Sequence, residues 1–190
     1  MTPFEYLFAL VSILIGLSVA DLSGSLHRLL RARRRVRWDW LPLASALLVM
    51  LLILEFWWVF YGLGSSPVWT HYGAFLVLGA SLVSMFLLAS ATLPDEVPQA
   101  GLDLGQYYRE NAPYLWTLFG VFVLLMIAVE LVSVWGHLRG STILRRTPPN
   151  LVFAALLFSL ARVRSRRYHA VAVPILLALL TVQWSRLRLG

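Results

Sequence analysis

The sequence predicts an all-α fold: a polytopic transmembrane helical bundle of six spans, forming one domain over residues 1–190. Three observations predict it. Hydrophobic residues make up 59% of the chain and charged residues only 13%, whereas soluble domains run near half apolar and a quarter charged. The mean hydropathy is +0.76, and a small globule has too little interior to hide that much apolar surface. The apolar residues also fall in long runs, several of them near the ~20 residues that cross a bilayer as a helix.

The first span is expected over about 4–22. Its leading segment, MTPFE, carries an acid and no arginine, which argues for a retained anchor over a cleaved signal peptide. The second span, 41–63, starts with Pro42 in its first turn, where a missing N–H costs little. The third, 72–93, has no charged residue, and the fourth covers 114–135. The last two, 148–163 and 168–185, are shorter and flanked by Pro148, Pro149 and arginines. They read as a tight helical hairpin whose arginines snorkel to the interface. The alternative is a re-entrant pair, which leaves four true spans. The tryptophans cluster near the expected span ends, as an interfacial aromatic belt does.

Arginine counting orients the bundle. The chain has no lysine, so all 16 basic residues are arginine, a usage that fits a GC-rich bacterial genome. Six spans place eleven arginines on one side and five on the other. The richer side is expected to face the cytoplasm of a bacterial inner membrane, which puts both termini outside. The net charge of +7 then reflects this asymmetry and anionic lipid, not nucleic acid. A lipid-facing basic patch is expected from Arg28, Arg31, Arg34, Arg35, Arg37, Arg166 and Arg167. Arg28, Arg31, Arg34 and Arg37 recur every third residue. That spacing matches a voltage-sensor ladder, but the position beside the span favours an interfacial segment.

The polar loop 94–113 carries Asp95, Glu96, Asp103 and Glu110 between basic neighbours. Asp103 is expected to cap a short helix over 104–111. The loop either folds back onto the arginines or offers a docking surface to a protein partner. In the first span, Gly16, Ala20 and Gly24 are spaced by four, a face that permits close helix contact and a homo-oligomer. Asp21 beside it is expected to pair with Arg28 or with a second chain.

Acids inside spans are costly, ~2.5–3.5 kcal/mol at a helix centre on insertion scales, so each deserves a functional reading. Glu55 and Glu130 qualify. Measured from the span centres they lie at similar depth in the outer half, with His71 and His137 near them. These four residues are the candidate ion or proton site. The plainer reading is that each glutamate is hydrogen-bonded polar glue. No cofactor and no metal are expected. There is no cysteine, no HxxxH or HxxE spacing, and every histidine sits near a span end, away from where paired haem ligands would lie. GxSxG, P-loop and GxGxxG motifs are also missing. An enzyme therefore ranks third, behind a small ion or proton channel or transporter and a membrane subunit or sensor that docks a partner.

The stretches FEYLFALVSILIGL, RVRWDWLPL, EFWW, LPDE…GLDLGQYYRE and RRYHAVAVPILLALL together resemble a widespread group of small bacterial multi-pass membrane proteins without an assigned function. The resemblance implies a membrane topology along most of the chain and supplies no catalytic residues.

Overall fold

A computed structural model describes residues 3–62, 71–134 and 140–184, with side chains at 3, 62, 130, 132–149, 183 and 184 left outside that description. The described residues form six helices: α1 (Pro3–Arg31), α2 (Trp40–Gly62), α3 (Tyr72–Thr92), α4 (Leu104–Val134), α5 (Gly140–Arg162) and α6 (Arg166–Trp184). The fold is all-α but for two short strands, β1 (Val36–Arg37) and β2 (Leu102–Asp103). Four helices are long and apolar enough to cross a membrane: α1 to α3, and α4 as far as Val129.

The central helix is α2, which packs against α1, α3, α4 and α6. Aromatic contacts set its register on two neighbours. Phe4 stacks on Phe60 at 5.7 Å, and Phe8 meets Trp57 at 5.7 Å and Tyr61 at 5.9 Å. Phe56 meets Phe122 of α4 edge-on at 5.9 Å. These rings lie toward the end of the bundle opposite the Arg33–Arg35 turn. In α1 the apolar window is only 22% buried, against 50% in the other three long helices. Gly16 and Ala20 lie on its exposed side, so this stripe is not used to pack α1 within the chain.

Several helices outrun the apolar runs. The first continues to Arg31, so Arg28 and Arg31 fall in its last turn, where cations suit the helix dipole. The segment expected as a separate helix over 104–111 is the start of α4, which runs on through Pro113 for 31 residues. At 1.5 Å per residue that is ~46 Å, well beyond a ~30 Å hydrocarbon core. The early start also corrects the reading of Trp116 as a belt residue. It lies inside α4, 1% exposed, stacked on Phe119. Trp38 and Trp40 are exposed at the basic end, as interface anchors are.

The last two helices are joined by a short turn at 163–165 but do not form a closed hairpin. Contacts of α5 are mainly with α4, and those of α6 with α2. A glycine lets α5 approach. A Cβ on Gly120 would stand 2.7 Å from the Phe158 ring, inside contact distance. Gly120→Ala is expected to destabilise the fold by about 1–3 kcal/mol, the usual cost of overpacking. Adding Phe158→Ala should remove most of that penalty in a double-mutant cycle read by thermal melting; simple additivity would refute the contact.

Loop 94–113 folds back on the arginines. Arg28 reaches Asp95 at 3.2 Å and Arg37 reaches Asp103 at 3.3 Å. Strand β2 pairs parallel with β1, Val36 against Leu102. Gly101, at φ 99°, makes the approach possible, because a Cβ there would meet the Arg35 carbonyl at 3.0 Å. Asp21 does not pair with Arg28, which turns to Asp95 instead. The Ser90 hydroxyl donates to it at 2.5 Å, tying α1 to α3.

Candidate functional site

Of the sequence-predicted site, Glu55 is the member that the bundle encloses. It is 7% exposed on α2. Trp57 donates its indole N–H to Ser12 of α1 at 3.3 Å, and Asp21 of α1 meets Ser90 of α3. These two bonds carry the register across three helices. They bring Ser12 and Ser81 to within about a turn of the level of Glu55, with Ser84 one turn nearer the basic end. Ser81 and Ser84 are buried. Each hydroxyl donates to a carbonyl of its own helix, Ser81 to Val77 at 2.8 Å and Ser84 to Ser81 at 2.9 Å. Donors committed in this way leave hydroxyl lone pairs as acceptors. One carboxylate and several hydroxyl oxygens therefore lie at similar heights on α1, α2 and α3.

The other predicted members lie elsewhere. The Phe56–Phe122 contact puts Glu130 about nine residues further along than Glu55, ~13 Å by helix rise. Equal depth, expected from the apolar run centres, is not the observed register, because α4 begins ten residues before its apolar run. The Glu130 side chain and all of His137 lie outside the described residues. His71 is exposed at the start of α3, roughly ten residues or ~15 Å beyond the Glu55 layer.

The arginines distribute over different structures. Arg28 and Arg31 are on α1, Arg34 and Arg35 in a 3-10 turn, and Arg37 in β1. The every-third spacing thus does not make one helical ladder. Arg31, Arg34, Arg35 and Arg167 are exposed. Arg166 donates to Asp39 at 2.6 Å, and the Leu41 N–H donates to the other Asp39 oxygen at 2.9 Å, capping α2. Burial pushes the Asp39 carboxyl up, but Arg166 and the Leu41 N–H outweigh it and hold it below 3.8. The Gln106 N–H bond at 2.9 Å, aided by Arg37, likewise holds Asp103 below its ordinary value. Carboxyls lowered in the fold stabilise it above their unfolded pKa and lose that contribution as pH falls through the folded value. Melting temperature should therefore drop below about pH 4, and less steeply in a D39N/D103N variant. An unchanged acid limb in that variant would show that other groups control it.

A second buried polar group was not picked out from sequence. His169 of α6 is 2% exposed. Its Nε2 bonds the Val163 carbonyl at 2.7 Å and its Nδ1 meets the Tyr108 hydroxyl at 2.8 Å. Trp116 donates to that same hydroxyl at 3.0 Å. With Nε2–H donating to Val163, Nδ1 of a neutral ring accepts from Tyr108. The chain Trp116–Tyr108–His169–Val163 joins α4, α6 and the turn that ends α5. Its sequence signal, a histidine after three clustered arginines, reads equally well as an interfacial residue.

Among the described residues, no group of three or more His, Asp or Glu side chains is placed to hold a metal ion. No family of proteins, curated protein sequence or solved structure matches this chain.

Proposed function

We propose that this chain is a small proton or cation channel or transporter of the bacterial inner membrane, working through Glu55. The observation that carries the reading is the burial of that carboxylate on the central helix, in a layer shared with serine oxygens. An ionisable group kept inside a spanning bundle is expensive, and such groups mark ion pathways and proton relays in membrane proteins. Hydroxyl acceptors at the same level suit a proton or a small hard cation. Glu130 and His71 then belong to the outer approach, not to the same layer.

The bundle crosses six times in this reading. The last two helices pack on α4 and α2, which are themselves long and apolar enough to span, and this supports their crossing too. The arginine-rich end faces the cytoplasm and both termini lie outside. The outward Gly16 and Ala20 stripe supports a homo-oligomer through α1.

The test is flux into liposomes holding the purified protein. A pH gradient should be tried with a pH-sensitive dye inside, then sodium and potassium gradients with dyes that respond to those cations. Movement above that of protein-free vesicles under one of these gradients is the expected result. Vesicles that stay silent under all three would sink the proposal.

A membrane subunit that docks a protein partner through 94–113 is the second reading. The exposed tip at Glu96, Gln99 and Ala100 favours it. The pairing of Asp95 and Asp103 with the chain's own arginines counts against it.

A further inference from the structure

At the basic end, a shallow open crevice with an inner volume of ≈ 20 Å³ lies between the starts of α2, α4 and α6 and the end of α5. Its floor is apolar, made by Leu41, Ala112 and Leu160, all buried. Its rim is cationic, with Arg109, Arg164 and Arg166. Arg166 is held by Asp39, which cancels one charge and fixes the guanidinium in place. Among the described residues, Arg109 and Arg164 make no ion pair, Arg109 acts on Asp39 and Asp103 only from a distance, and the crevice keeps a positive excess. Tyr108 and His169 form part of the wall, but their hydrogen bonds to each other and to Trp116 and Val163 leave them structural. Exposed Val163 also lines the crevice, and exposed Tyr114 adjoins Pro113 on its wall.

We propose that this crevice binds the phosphate of an anionic amphiphile, with Arg109 and Arg164 as its ligands. Guanidinium groups match phosphate oxygens in pairs and with charge-assisted strength. An apolar floor beneath a cationic rim fits a molecule with an anionic head and an apolar body. The exposed apolar side chains beside the rim offer that body a surface. The phosphate could belong to a phospholipid headgroup or to a free phosphate ester, and the experiment separates these. The site is remote from Glu55, which lies fifteen residues up α2 from Trp40, ~22 Å. Its failure would leave the channel proposal untouched, and the reverse also holds.

The full chain in nonionic detergent is mixed with phosphatidylglycerol or with phosphatidylcholine, and bound lipid is counted by native mass spectrometry. In parallel, melting is followed with added inorganic phosphate and with glycerol phosphate. Wild type is expected to retain phosphatidylglycerol over phosphatidylcholine, and R109Q/R164Q to lower that retention at least about tenfold, ~1.4 kcal/mol. R33Q removes a charge from the exposed 3-10 turn, outside the crevice, and should retain the lipid as wild type does. Stabilisation by the soluble phosphates alone, lost in R109Q/R164Q, supports the phosphate site and identifies a free ester as its source. Equal retention in wild type and R109Q/R164Q would overturn the proposal. So would an equal loss in R33Q, or a wild type that takes up no phosphate ligand of either kind. Melting without ligand is recorded for each variant, and these exposed substitutions should leave it unchanged.

Discussion

Glu55→Gln is expected to abolish the ion flux of the reconstituted protein, a loss of at least about 100-fold, the scale of removing one positioned proton-transfer group. Glutamine keeps the shape and the hydrogen-bonding atoms but cannot ionise or carry a proton. Stability should not fall with it. A charge held in the bundle interior costs free energy, and a neutral isostere removes that cost. The melting temperature of E55Q should equal or exceed that of wild type while flux disappears. Polar glue predicts another pattern: Gln, still able to bond, leaves everything unchanged, and Glu55→Leu lowers melting. Flux surviving in E55Q would end the assignment. Glu130→Gln is the companion measurement. Some ~13 Å of helix separates the Glu130 level from the Glu55 layer, so its effect should be on entry, seen as a weaker concentration dependence, and not as complete loss.

The second large effect concerns folding. His169→Ala is expected to destabilise the protein by about 2–4 kcal/mol, from an emptied cavity and buried partners left unsatisfied. The ring bridges the Val163 carbonyl, just past the end of α5, and the Tyr108 hydroxyl of α4. Removing it leaves that carbonyl without the bond and the hydroxyl with Trp116 and Ser45 but no acceptor ring. Tyr108→Phe should cost less, about 1–2 kcal/mol, since the ring packing survives. Because the two residues share one bond, the double variant should cost less than the sum of the singles. Additive costs in denaturant titrations would show that the bond contributes nothing. If H169A melts like wild type, the polar chain is not what holds α4, α5 and α6 at this end.

Much of the bundle was legible because its cause is local. Long apolar runs at 41–63 and 72–93 need only helix rise and bilayer thickness to be read, and α2 and α3 match them within a residue or two. The Asp103 cap was legible too, since a carboxylate three residues before a backbone N–H is a local geometry, and Gln106 takes it. Boundaries set by polar segments were not. Nothing in the composition of LGQYYRENAP says that it continues α4 rather than ending before Pro113. That depends on Leu104, Tyr108 and Ala112 being buried against other helices.

The candidate site divides along the same line. That Glu55 is an acid in a span follows from the sequence alone, because a carboxylate amid an apolar run is visible without a fold. Its neighbours are not visible there. Register between helices comes from side-chain packing, here Phe56 on Phe122 and Trp57 on Ser12. That packing sets serines of α1 and α3 near the height of Glu55 and the Glu130 level further along. Membrane character, apolar helices and the arginine-rich face are thus properties of composition and pattern. The Glu55 layer, the His169 chain and the crevice between Arg109 and Arg164 exist only in the tertiary structure, since each is assembled from residues tens of positions apart that no local rule pairs.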